Sequence, residues 1–208
     1  MRPALKRVPG WALLSAVVAP VALIGGWLLA GHLQPPGYSL LHQSISSLAA
    51  RGAHDRWIMT GALVLLGSCH LITAVGLRPA RALGRATLAI GGLATLAVAA
   101  FPQPHSGTAA THVAAATIGF IALAVWPVLA ARGVDDRLLT LAVSATASAS
   151  LLGLLTWLTV ALNTTYLGLS ERCLTGAQAL WPLAVALNAQ HVAAPPPQAE
   201  PPESVTRR

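Results

Sequence analysis

The sequence predicts an all-α fold, a polytopic transmembrane helical bundle of about six spans with a short amphipathic helix in the first outer loop. Three observations lead there. Of the 208 residues, 55% are hydrophobic and only 9% charged, against about 25% charged in a soluble domain. The mean hydropathy is +0.65. Apolar runs of about 20 residues, enough to cross ~30 Å of hydrocarbon at 1.5 Å per residue, recur along the chain. The formal net charge of +7 does not call for nucleic acid, because Lys and Arg sit at the ends of apolar segments instead of clustering on one polar helix. The partner this composition calls for is a lipid bilayer.

The first run, Trp11–Ala30, follows a basic stretch at residues 1–10. A secretory signal would have an apolar region of about 7–15 residues before a cleavage site, so this longer run reads as a retained span. Pro20 and the Gly25-Gly26 pair are expected to bend or loosen it, which neighbouring helices tolerate. Residues 31–56 form the longest internal polar connection. Within it Leu41, Ile45 and Leu48 recur at helical spacing, and Ser39, His42 and Ser46 recur on another side. This predicts the amphipathic helix, with Tyr38 at its start, lying in the interface or dipping toward the bundle. Five further runs follow: Trp57–Leu77, Ala82–Phe101, Ala109–Ala131, Leu138–Leu162 and Leu174–His191. The last has soft ends, since it holds Gln178, Asn188 and a Trp181-Pro182 step. In the fifth, Ala145, Ala149 and Gly153 run beside Ala142, Thr146 and Ser150, two small-residue stripes that permit close helix packing. Residues 1–10 are then a cytoplasmic N-terminus, 11–191 a six-helix domain and 192–208 a proline-dense tail expected to be disordered. Cys69 and Cys173 fall at different membrane depths and are expected to stay free.

Orientation follows from Lys and Arg in short loops. With the N-terminus inside, one side holds Arg2, Lys6, Arg7, Arg78, Arg81, Arg85, Arg132, Arg137, Arg207 and Arg208, ten residues, and the other holds three, Arg51, Arg56 and Arg172. Both termini are expected to be cytoplasmic. The Ala, Arg and Pro bias points to a bacterial inner membrane.

This orientation sorts the seven histidines: His32, His42, His54, His105 and His112 fall at or near the outer face, His70 within the second span, and His191 inside. Histidine is the commonest metal ligand and an acid or base near neutral pH. His105 and His112 with one of His42 or His54, and Asp55 or Glu171 as base, would make a metal-assisted membrane hydrolase. Against it, no recognised zinc spacing is present, and imidazoles are ordinary residues at a polar interface. His70 is either a functional group at mid-span or a packing residue hydrogen-bonded to Ser68 or a facing helix. A serine nucleophile drawn from Ser44, Ser46 or Ser47 with His42 lacks the Gly-x-Ser-x-Gly elbow.

Three stretches taken together resemble the uncharacterised membrane proteins called domain of unknown function 998. They are Tyr38 to Ala49 followed by Trp57 to Gly61; the Phe101-Pro102 step with His112 opening the fourth span; and Gly168-Leu-Ser-Glu171-Arg172 followed by Trp181-Pro182. The resemblance covers roughly residues 11–190 and implies about six spans, with no activity, cofactor or substrate to carry over. Members often have an acidic residue after the Phe-Pro and Ile-Ser steps, where this chain has Gln103-Pro104 and Ser47. The matched polar positions are Ser46, His112, Glu171 and Arg172. With His42 and His105, these form the expected ligand-binding set. It would line an outer-facing vestibule from residues 38–54, 101–112 and 163–172 that takes a lipid headgroup or small molecule, with Arg172 offering a planar fork of donors to an anion. The alternatives are the metal-dependent hydrolase and a structural or assembly protein without a ligand.

Overall fold

A computed structural model describes residues 7–104, 106–132 and 137–192. Among the described residues there are seven helices, α1 (Gly10–His32), α2 (Ile45–Leu48), α3 (Arg56–Gly76), α4 (Ala82–Ala100), α5 (Ala110–Ala130), α6 (Leu141–Ala161) and α7 (Leu167–Val192), and a 3₁₀ turn at Arg137–Leu139 before α6. Helices α1, α3, α4, α5 and α6 are long and apolar enough to cross a bilayer. The sixth long helix, α7, has the length but carries Ser170, Glu171, Arg172, Gln178, Asn188 and Gln190 along its course. It also begins two turns before the expected Leu174, so Glu171 and Arg172 are helical residues and not loop residues. Proline does not interrupt the long helices: α1, α5 and α7 run through Pro20, Pro127 and Pro182.

Each long helix packs on its neighbours in sequence, and α7 closes back onto α1, giving a ring of six. Two buried clusters hold this ring together. At the end where α1 starts, Val8, Leu77, Leu88, Trp126, Leu139 and Val185 pack together. At the other end, Leu23, Trp27, Ile45, Leu48, Met59 and Leu66 do so beneath the first loop. Small residues set the helix spacing: at Gly84 an added Cβ would run into the Ala130 backbone, so α4 and α5 touch there main chain to main chain. Ser15 and Thr73 share a hydrogen bond of 2.8 Å between α1 and α3. Arg85 donates to the carbonyls of Ala74 and Val75, both at 2.7 Å, covering acceptors that the end of α3 leaves unpaired.

Two expectations change. The amphipathic helix shrinks to one turn, Ile45–Leu48, capped by Ser44, whose Oγ accepts from the Ser47 N–H. The reason is that the carbonyls a helix over 38–48 would use internally are taken by α7: the Leu169 N–H donates to Leu41, and Arg172 donates to Leu40 and Gln43. The small-residue stripes of α6 do not pack inside the bundle either. Ala142, Ala145, Thr146, Ala149, Ser150 and Gly153 are exposed, while Ser144, Ser148, Leu151 and Leu158 form the buried face.

Candidate functional site

The site is assembled from three segments far apart in sequence, each held in place by a local feature. Helix α4 stops at Ala100 because Pro102 has no N–H to continue the ladder. The Phe101 carbonyl thereby leaves the helix and meets His112 Nδ1 at 2.9 Å. A carbonyl only accepts, so Nδ1 carries the proton; in the neutral ring Nε2 is then an acceptor, 3.1 Å from Ser46 Oγ. Ser46 lies on the single turn of α2, and its hydroxyl is also 3.5 Å from Glu171 Oε1. Glu171 Oε2 accepts the Ile45 N–H at 2.7 Å. One hydroxyl proton faces two acceptors, and the shorter contact assigns it to His112.

Next to Glu171, Arg172 turns toward the loop. Its Nη1 donates to the carbonyls of Leu40 (2.6 Å), Gln43 (2.8 Å) and Gly168 (2.9 Å), and its Nη2 to the Tyr38 hydroxyl at 2.8 Å. The absence of a side chain at 168 makes this possible, because a Cβ there would collide with the carbonyl oxygens of Gln43 and Leu40. Burial pushes the Tyr38 phenol above its usual range, against the opposing pull of the guanidinium. His112, Glu171 and Arg172 are all buried, and Ser46 is half-buried.

Part of each stretch that carries the family resemblance therefore meets at Ser46, which lies between His112 and Glu171. A family described as protein of unknown function (DUF998) matches residues 16–188. The chain belongs to this family. No curated protein and no solved structure matches it. In this DUF998 chain, the Gly168 to Arg172 motif and the Phe101-Pro102 step each have a physical reason: the first receives the loop, and the second positions an imidazole.

Of the expected ligand set, the structure brings together Ser46, His112, Glu171 and Arg172. His42 is exposed on the turn before α2, and His105 lies outside the described residues. His54 is exposed too, with Nε2 3.3 Å from Asp55. Among the described residues no group of three His, Cys, Asp or Glu side chains comes together to hold a metal. The serine that meets a histidine is Ser46, and its partner is His112 from another helix, not His42 one turn away.

Beneath the cluster, inside the ring, is a cavity of about 60 Å³ with a mostly apolar wall that includes Leu23, Leu63, Val98 and Phe120. Ser46 and Glu171 belong both to the buried cluster and to this wall, as do His70 and Gln178 deeper in the bundle. His70 Nδ1 meets the Leu66 carbonyl of its own helix at 2.9 Å, not Ser68 or a facing helix. The sequence alone undervalued Gln178, taken only as a sign of a soft span, and gave Gly168 no role beyond its place in the matched motif. The signal for both was available: an uncharged polar residue at mid-span, and a glycine directly ahead of a Glu-Arg pair.

Proposed function

We propose that this chain is a multi-pass protein of a bacterial inner membrane, with both termini cytoplasmic, that binds a small ligand in the chamber under the 38–49 loop. The observation that carries this reading is the double placement of Ser46 and Glu171. They are the inner edge of a buried polar network and at the same time polar groups in a mostly apolar cavity wall, the combination expected of a ligand pocket. Arg172, with both terminal nitrogens committed to the loop, acts as a positioning residue that fixes Ile45 and Ser46 and is not the receptor for an anion. The orientation draws support from the segregation of charge. Arg81 and Arg132 belong to one end, where Arg81 pairs with Ala130 through the main chain, and Arg172 belongs to the other, against Leu40. The test is native mass spectrometry and a thermal-shift panel of lipid headgroups and small molecules on purified protein. Retention or stabilisation by one class is expected; a protein that arrives empty and responds to none contradicts the reading. A reporter fused after Arg208 that is active only in the periplasm contradicts the orientation.

A second reading rests on the 3.1 Å contact between Ser46 Oγ and His112 Nε2, with the Phe101 carbonyl orienting the ring. This is the geometry of a nucleophile and its base. The Ile45 N–H, a natural donor for a developing oxyanion, is committed to Glu171, so the first reading is preferred. Labelling of Ser46 by a fluorophosphonate probe, abolished in His112→Ala, would reverse that preference.

A further inference from the structure

The cluster around Ser46 is one proton short. His112 Nδ1 donates to the Phe101 carbonyl, which leaves Nε2 to accept the Ser46 hydroxyl proton at 3.1 Å. A hydroxyl has no second proton, so Ser46 Oγ turns a lone pair toward Glu171 Oε1. The 3.5 Å between these two oxygens is long for an O–H···O bond, as expected of two acceptors with no proton to share. The other carboxyl oxygen is already served, since Oε2 accepts the Ile45 N–H at 2.7 Å. One oxygen of Glu171 thus faces a donor and the other faces an acceptor, which is the pattern that a carboxylic acid matches and a carboxylate does not.

Glu171 is 6% exposed, and burial disfavours the ionised form of a carboxyl group. The Arg172 charge and the N–H groups of Ile45 and Ser46 act in the other direction. The terminal nitrogens of Arg172, however, are bonded to Leu40, Gln43, Gly168 and Tyr38, and none of these bonds reaches the carboxyl group. The other titratable groups near the cluster, among the described residues, are Tyr38, bonded to Arg172, and His70, lower in the chamber wall with Nδ1 on Leu66. Helices α1 and α4 line the chamber with Leu23, Thr95 and Val98, none of them ionisable.

A proton on Glu171 Oε1 completes the cluster. The donors then run in one direction, from Glu171 Oε1–H to Ser46 Oγ, from Ser46 Oγ–H to His112 Nε2, and from His112 Nδ1–H to the Phe101 carbonyl, and such a chain strengthens each of its bonds. A carboxylic acid kept neutral so that it can donate is a known use of an apolar site. The same chain can pass its proton along. Ser46 Oγ takes the proton of Glu171 Oε1 while His112 Nε2 takes the proton of Ser46 Oγ, leaving a carboxylate, an unchanged serine and an imidazolium, with no proton gained or lost.

We infer that Glu171 is held as a neutral carboxylic acid, and that Glu171, Ser46 and His112 form a proton-relay site between the chamber and the loop. This goes beyond the reading of the chamber as a ligand site and requires no ligand.

The experiment is infrared spectroscopy of the full chain in a maltoside detergent, which has no carbonyl band of its own. At a pH of about 7 an ordinary glutamate is ionised, so the C=O stretch of a protonated carboxylic acid is expected from Glu171 and is expected to be lost in Glu171→Gln. Isotopic labelling of the glutamate carboxyls in the wild type shifts the same band and replaces this variant if it does not fold. Ser46→Ala removes the acceptor of the acid proton, and the band is expected to move to higher frequency. His112→Ala frees the Ser46 proton to turn toward Glu171, and the band is expected to weaken. The absence of an acid band, or a band that survives Glu171→Gln or ignores the glutamate label, overturns the neutral acid. A band that is the same in Ser46→Ala and His112→Ala as in the wild type overturns the relay. Either failure leaves the ligand-chamber reading to its own test.

Discussion

Arg85 and Arg172 both use a guanidinium to gather main-chain carbonyls, at opposite ends of the bundle. Arg85 covers the end of α3 from a half-buried position, with bonds to Ala74 and Val75. Arg172 is 9% exposed and holds Leu40, Gln43, Gly168 and Tyr38. At the Arg85 end the loops are short and the helices cap one another. At the Arg172 end a long loop is folded onto the bundle, and its own backbone cannot satisfy it. The difference shows that the Arg172 end uses a buried charge to anchor the loop that carries Ser46, whereas single bonds such as Ser15 to Thr73 and Gln178 to Phe120 join the helices.

The largest effect that would break this comparison is expected from Arg172→Ala. Removing a buried charged donor with four acceptors costs about 3–5 kcal/mol, read as a large fall in melting temperature together with new proteolytic cleavage between residues 33 and 55. A melt within a few degrees of wild type would contradict the anchoring role. Gly168→Ala should come next, at about 1–3 kcal/mol, because the added methyl pushes loop carbonyls off the helix; its loop should become protease-sensitive while α1 to α6 stay protected from hydrogen exchange. His112→Ala removes the bonds to Phe101 and Ser46 and is expected to cost about 1–2 kcal/mol, with fluorescence from a probe at residue 47 reporting a looser loop. Arg85→Ala is expected to be smallest, below about 1 kcal/mol, since water can replace a half-exposed cap. An Arg85→Ala effect equal to that of Arg172→Ala would erase the distinction between the two ends.

How much of this the sequence revealed depended on the range of the interaction. The long helices follow from local hydropathy, and their observed ends lie within about three residues of the expected ones for α1 and α3 to α6. The polar entry of α7 was missed because Glu171 and Arg172 read as loop residues when burial and partners are unknown. The first-loop helix was overextended for a related reason: the period through Leu41, Ile45 and Leu48 is real, but carbonyls supplied to Leu169 and Arg172 cannot also build a helix. Ser46, His112, Glu171 and Arg172 were picked out by resemblance, and the structure places them together. Arg172 as an internal clamp could not be foreseen, since a guanidinium that faces a ligand and one that faces its own loop look identical in sequence. His42 was grouped with Ser46 by helical spacing, and that grouping lapsed with the helix.

The closure of α7 onto α1 also sets an order of events during synthesis. Five long helices and the first loop leave the ribosome before the helix that supplies Glu171, Arg172 and Gln178. Until that helix arrives, the Leu40 and Gln43 carbonyls and the Ile45 N–H have no protein partners from it, and the chamber lacks one wall. A chain stopped after Ala161 would thus enter the bilayer as helices yet remain recognisable to membrane quality control as unfinished.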